Sequence, residues 1–242
     1  MELVVLASGR GTRLKKLNQK HPKCLCKING DKTLIDYISE NFKKFKKVFM
    51  IVGYKRQLLK KYQKKNVKLI INSKYKTTNM VYSLSLAKGI LFKHDCIVSY
   101  SDIFFPDEAI SILKKCKNKI SILYDVNWKQ LWRKRFKNPL DDAETFKITD
   151  NGFIKEIGNK PNNYDEIEGQ FMGLLKFTPK IWNIIDSLFS ELDIKIFKKL
   201  QMTHLLQDLL VKEKIDIKAY QFDGKWGELD NIKDYKIYSN IL

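Results

Sequence analysis

Leu3-Val4-Val5-Leu6-Ala7-Ser8-Gly9-Arg10-Gly11-Thr12-Arg13-Leu14 is the stretch that decides how this chain is read. The apolar run from Leu3 to Ala7 reads as a buried strand, and it breaks directly into a glycine-containing turn loaded with donors. Glycines let a backbone approach an anion closely. The exposed amides, the Thr12 hydroxyl and the Arg13 guanidinium are groups that hold phosphate oxygens. By itself a Gly-x-Gly marks a tight turn more often than a ligand. This loop also lacks the G-x-G-x-x-G spacing of dinucleotide folds and the G-K-[ST] ending of a P-loop, which disfavours both. What gives it weight is its company: nine residues beyond Leu14 stands Lys23, presented by a segment that Pro22 stiffens.

Downstream, short β-branched runs alternate with longer amphipathic stretches, the pattern of βαβ units and a mostly parallel sheet. Lys47–Val52, Val67–Asn72, Cys96–Tyr100 and Lys119–Tyr124 read as further strands. Leu34–Lys44, Gln57–Lys64 and Asn79–Phe92 carry helical spacing; in the last, Met80, Leu84, Ala87 and Leu91 fall on one face. The second half changes character. Thr145–Ile148 and Phe153–Ile157 flank Asp150-Asn151-Gly152, a strong hairpin signal. A strand over Gly169–Phe177 follows, and Pro179 opens a helical run through Ile181–Leu188. This predicts one domain over 1–242, with a smaller β-rich subregion covering one side of the nucleotide fold.

Composition bounds the function. With 242 residues and 44% hydrophobic content the chain carries enough apolar material for one sizeable core. No basic segment precedes Leu3, and lysines interrupt every apolar stretch well short of the roughly 20 residues that cross a bilayer. The four cysteines, Cys24, Cys26, Cys96 and Cys116, show neither paired metal spacing nor disulfide density, so reduced thiols in a cytoplasmic protein are expected. A net charge of +19 invites a nucleic-acid reading. The lysines are scattered doublets, however, with no recognition-helix or aromatic RNA-binding signature, so the expected partners are small anions and not nucleic acid.

These segments together make the chain resemble the nucleoside-triphosphate transferase family, the sugar-phosphate and phosphocholine nucleotidyltransferases. Its signature is a strand, L-[AS]-[AG]-G-x-G-[ST]-R-[LM], then a Pro-Lys pair. Leu6 to Leu14 and Pro22-Lys23 match it, with Ser8 where alanine is commoner. Tyr100-Ser101-Asp102 at a strand end and Trp226-Gly227-Glu228-Leu229-Asp230 near the C-terminus extend the resemblance over nearly the whole chain. It implies an α/β fold, a mixed, mostly parallel Rossmann-like sheet flanked by helices, with the acceptor-binding subregion at roughly 125–180.

The resemblance also implies roles. A phosphate oxygen attacks the α-phosphorus of a nucleoside triphosphate and pyrophosphate leaves, so charge neutralisation and alignment dominate the barrier. Lys23 is expected at the α-phosphate and Arg13 on the leaving phosphates. Leu6, Ala7, Ser8, Gly9, Arg10, Gly11 and Thr12, with Ser101, line the nucleotide, and Asn79 and Ser83 are base or ribose contacts, although helix capping alone would explain Asn79. Asp102 and Asp230 are expected to hold Mg²⁺ (or Mn²⁺), an ion that rarely uses an all-protein cage. Glu168, Trp226 and Glu228 are expected at the acceptor: Glu168 against an ammonium group, Trp226 as an aromatic face, with an exposed carboxylate and a core indole as the plainer readings. Trp128, Trp132 and Arg133 are unranked further candidates. The short chain and Trp-x-Glu-Leu-Asp ending favour a CTP-dependent cytidylyltransferase, monomer or homodimer, acting on phosphocholine, 2-aminoethylphosphonate or L-glutamine phosphate for capsule or surface glycan. The alternatives are a sugar-1-phosphate nucleotidyltransferase using UTP, dTTP or GTP, and a basic nucleic-acid-binding protein on an inactive transferase scaffold.

Overall fold

A computed structural model of the chain describes residues 1–14 and 20–238. Seven strands form its central sheet in the order Ile217–Phe222, Ile120–Asp125, Gln170–Phe177, Cys96–Tyr100, Glu2–Ala7, Val48–Val52 and Val67–Ile71. All run parallel except Gln170–Phe177, which is antiparallel to both of its neighbours. The first strand is apolar along its whole length because helices cover the sheet on both sides. Leu3, Val5 and Ala7 face one layer of the core, Val4 and Leu6 the other.

The five strands expected in the first half all form, within about a residue at each end. The helices are shorter than their spacing suggested. Leu34–Ser39 stops early, and a 3-10 turn at Phe42–Lys44 takes up the rest. Arg56–Tyr62 is a 3-10 helix, which suits the three-residue step between its buried Leu59 and Tyr62. The run from Asn79 splits into Met80–Ser85 and Lys88–Leu91. At the break Leu86 and Ala87 bond three residues back, and the Ser85 hydroxyl donates to Tyr82 O at 2.8 Å, competing with the helical ladder.

The Asn-Gly hairpin forms, Phe146–Ile148 against Ile154–Ile157. The segment after it does not stay with that subregion: Gln170–Phe177 passes through the middle of the main sheet, so the stretch 125–180 is divided between the sheet and the ribbon outside it. Gly173 permits this passage. At φ +73° it is in the left-handed region, and a Cβ there would meet the Tyr100 ring at 2.7 Å.

A two-stranded ribbon matters more for function. Ile103–Phe104, just after the strand Cys96–Tyr100, pairs antiparallel with Gly227–Glu228, and Leu229 N–H donates to Asp102 O at 2.8 Å. This ribbon brings two segments about 125 residues apart to one end of the sheet. All four cysteines are free and buried, and among the described residues no helix is long and apolar enough to cross a membrane.

Candidate active site

The glycine turn leaves the sheet at the C-terminal edge of its parallel strands, where open α/β sheets receive ligands. Leu6 is in register with Tyr100 and Ala7 with Val52, so the turn opens beside the ends of both neighbours. Ser8 Oγ donates to Ile51 O at 3.0 Å and Ser8 O accepts the N–H of Tyr54 at 3.1 Å. The hydroxyl of Ser8 therefore fastens the loop instead of reaching for a phosphate. Gly11, at φ +62°, turns the chain into a 3-10 turn closed by Leu14 N–H to Gly11 O at 3.0 Å.

This turn forms one wall of a cleft of about 140 Å³. Leu6, Ala7, Ser8, Gly9 and Gly11 line that wall, and Lys23, Cys24, Tyr100, Ser101 and Asp102 line the base. The opposite side is made by Tyr75, Thr78, Asn79, Met80 and Ser83. Arg10 and Thr12 are exposed and do not line it; the Arg10 guanidinium lies 5.9 Å from the Tyr54 ring. Asn72 shapes the far wall, its amide donating to Thr78 Oγ1 at 3.0 Å and to Ser83 Oγ at 3.1 Å. Asn79 is an N-cap: Oδ1 accepts the N–H of Met80 at 2.9 Å and Nδ2 donates to Lys199 O at 3.2 Å. Both ends of that amide are thus engaged by the fold.

At the base three carboxylates converge. One oxygen each from Asp102, Glu228 and Asp230 lies within 4.8 Å of the others. Lys23 Nζ sits among them, 2.5 Å from Asp102 Oδ2 and 2.9 Å from Asp230 Oδ1, and Arg13 Nη2 reaches Asp230 Oδ1 at 2.8 Å. Burial works against the Lys23 ammonium, but Asp102, Asp230 and Glu228 outweigh it and raise its pKa. Burial likewise works against the charge on Asp230, and Lys23 with Arg13 turns the balance, holding its carboxyl below the usual range. Glu228 is pushed well up, by burial first and then by the neighbouring Asp230 and Asp102. A carboxylate repelled by two others is short of positive charge. Asp102 Oδ1 is buried and has no hydrogen-bond partner among the described residues. An oxygen-only donor set with one lone oxygen fits a hard divalent cation.

Arg135 was not foreseen. Its side chain is fully buried, Nη2 lying 3.2 Å from Asp230 Oδ2 and 3.8 Å from Glu228 Oε2, and Nε 3.0 Å from Asp234 Oδ1. The same helix, Trp128–Arg135, carries Arg133 on its exposed side, so the arginine singled out from the sequence faces solvent. Trp132 and Arg135 are three residues apart on the buried face, and that spacing was the available signal. Trp128 and Trp132 are core residues packed edge to face.

Two of the expected acceptor residues lie elsewhere. Glu168 is exposed and belongs to the hairpin: Oε2 accepts the N–H of Ile148 at 2.8 Å and Oε1 pairs with Lys147 at 3.1 Å. A carboxylate beside a strand edge is drawn to the nearest free amide and ammonium. Trp226 is buried, Nε1 donating to Asp125 Oδ2 at 2.9 Å, with its ring against Trp132; the plainer reading of a core indole holds. Glu228 joins the two aspartates, alongside the residues expected to hold metal.

Backbone amides, two cations and three carboxylates around one cleft can hold a polyphosphate together with a divalent cation. Comparison with known proteins gives the family. Residues 3–123 match the MobA-like NTP transferase domain. The chain is 38% identical to the CTP:phosphoglutamine cytidylyltransferase of Campylobacter jejuni, over 98% of both chains. It is 26% identical to the choline-phosphate cytidylyltransferase of Streptococcus pneumoniae, over 100% of this chain and 98% of that one. Among solved structures, the inositol-1-phosphate CTP transferase of T. maritima shares the fold with a TM-score of 0.77 at 21% identity, covering 99% of this chain and 95% of that one.

Proposed function

The chain belongs to the MobA-like NTP transferase family, and from that membership we propose that it is a cytidylyltransferase. It moves CMP from CTP to a small phosphorylated acceptor of the phosphoglutamine or phosphocholine class and releases pyrophosphate. The observation that carries this reading is the meeting of the glycine turn, Lys23 and three carboxylates at one sheet edge, in a chain alignable end to end with a cytidylyltransferase. CTP as donor places the reaction in the cytoplasm.

The amides of Gly9 to Gly11 and the Arg13 guanidinium take the β- and γ-phosphates, where charge accumulates as pyrophosphate departs. Asp102, Asp230 and Glu228 are the residues that would hold Mg²⁺, which when bound neutralises phosphate oxygens and draws donor and acceptor into line. Lys23 now rests on two of those carboxylates. With the nucleotide seated, it transfers its contact to the α-phosphate, whose charge rises in the transition state. Ser83 and Ser101, on the wall and base, face the nucleoside, while Asn79 lines the same wall with its amide held by the helix cap.

For the acceptor, Asp142 and Glu144 take the part expected of Glu168. Burial raises the pKa of both, and neither has an ion-pair partner among the described residues. Glu144 lies within electrostatic reach of Tyr100 at the cleft, and Asp142 of Asp230 and Arg13. Two half-buried carboxylates without a direct ion-pair partner among the described residues suit an acceptor that carries an amine.

A matrix of CTP, UTP, dTTP, GTP and ATP against L-glutamine phosphate, phosphocholine, 2-aminoethylphosphonate and hexose 1-phosphates tests this, with pyrophosphate release as readout. Turnover confined to a non-cytidine nucleotide would overturn it.

A further inference from the structure

The turn that presents Asp230 is closed by a side chain four residues on. Asp234 is wholly buried, and its Oδ2 accepts the backbone N–H of Asp230 at 2.8 Å and of Asn231 at 3.1 Å. In return Asn231 Oδ1 accepts the N–H groups of Lys233 and Asp234, at 2.8 and 3.1 Å. This reciprocal pattern starts the helix Ile232–Tyr238. Capping alone asks for no counter-charge, yet Asp234 also takes Arg135 Nε at 3.0 Å on Oδ1 and Arg135 Nη2 at 3.3 Å on Oδ2.

That second contact bears on the reaction centre. The Arg135 guanidinium is shut away from water and lies over the rings of Trp132 and Phe136, at 4.8 and 5.1 Å. The same Nη2 is within 3.2 Å of Asp230 and 3.8 Å of Glu228, two of the three carboxylates that fit a divalent ion. A buried guanidinium without its own anion would settle on those two oxygens and compete with the ion for them.

We propose that Asp234 is a positioning residue for the metal carboxylates. It fixes the backbone that aims Asp230 and shares the charge of Arg135, which Asp230 also accepts at 3.2 Å, so that less of that charge falls on Asp230 and Glu228 and more of theirs is left for the cation. The inference rests on the metal-dependent reading given above.

The test is Mn²⁺ titration followed by electron paramagnetic resonance, without nucleotide, well below the unfolding temperature. Asp234→Asn keeps an acceptor for the Asp230 amide but removes the charge. Its Mn²⁺ dissociation constant is expected to rise about tenfold or more, as when outer partners of metal ligands are lost. At saturating metal, kcat stays within a few-fold while the KM for metal rises. The double variant Arg135→Met/Asp234→Asn, which removes both charges together, recovers most of the affinity. A purely structural role would lower the unfolding midpoint and leave the dissociation constant alone; that result overturns the inference. So does a double variant as weak as the single one. Should Asp234→Asn not fold, Asp234→Glu displaces the carboxylate by one methylene. Weakened Mn²⁺ binding by it supports the inference, and wild-type binding overturns it. Failure of the wild-type chain to bind Mn²⁺ with or without CTP would refute the metal-dependent reading itself, and the inference with it.

Discussion

Lys23 makes a prediction with two opposite signs. Its Nζ lies 2.5 Å from Asp102 Oδ2 and 2.9 Å from Asp230 Oδ1, on two of the three carboxylates that would hold a divalent ion. Mg²⁺ binds oxygen at about 2.1 Å, so an ion on the same carboxylates lies roughly 4 Å from the ammonium. A double and a single positive charge at that distance repel by about 2 kcal/mol even at the dielectric of water, and by several times more in a partly buried site. Since ~1.4 kcal/mol is tenfold, Lys23→Met should bind Mn²⁺ at least about tenfold more tightly than wild type in the absence of nucleotide. The same substitution removes a cation from the α-phosphate and should lower kcat by a factor on the order of 10² to 10³. Electron paramagnetic resonance of free Mn²⁺ reads the first effect and pyrophosphate release the second. Unchanged or weaker metal binding would show that Lys23 and the ion do not share those carboxylates. Near-normal turnover would remove Lys23 from the chemistry.

Asp102→Asn and Asp230→Asn should each raise the metal concentration needed for half-maximal rate; a double variant no worse than the weaker single one supports one shared ion, and additive losses argue for separate roles. Glu168→Gln should leave kcat and KM within about twofold, costing only an exposed pair worth ~0–1 kcal/mol; a large rise in acceptor KM would return Glu168 to the acceptor site. Asp36 accepts from Tyr62 Oη at 2.6 Å and from Thr33 N and Oγ1 at 2.8 and 2.7 Å; burial opposes its charge, but these donors outweigh it and hold the pKa low. A depressed folded-state value stabilises above the unfolded value and is lost as pH falls through the folded one. The urea midpoint of Asp36→Asn should therefore lie below wild type at pH 7, with the gap closing in acid below the ordinary aspartate range; a constant gap there would refute the assignment.

How much was legible follows from the range of each interaction. The glycine turn could be read because its chemistry is local: Leu3 to Ala7 must be buried, and Gly9 to Gly11 must turn. The strands of the first half were equally local, each an apolar run bounded by breakers. Helix lengths were less so. Hydrogen bonds that switch to three-residue steps at Ala87, or a Ser85 hydroxyl that competes with the ladder, leave little trace in hydrophobic spacing.

By itself, the sequence determined a mostly parallel α/β sheet, the glycine turn after its first strand, and the candidacy of Lys23, Asp102 and Asp230. Tertiary structure alone decided which side chains share a charge. The ribbon joining Ile103–Phe104 to Gly227–Glu228 makes Asp102, Glu228 and Asp230 neighbours, and it depends on pairing across more than 120 residues. Burial then selects among arginines that look alike in the chain: Arg135 is enclosed with Asp234 and Asp230, while Arg133, half a helical turn away, points to solvent. A charge acquires its role from the dielectric and the counter-charges around it, and those exist only once distant segments have packed together.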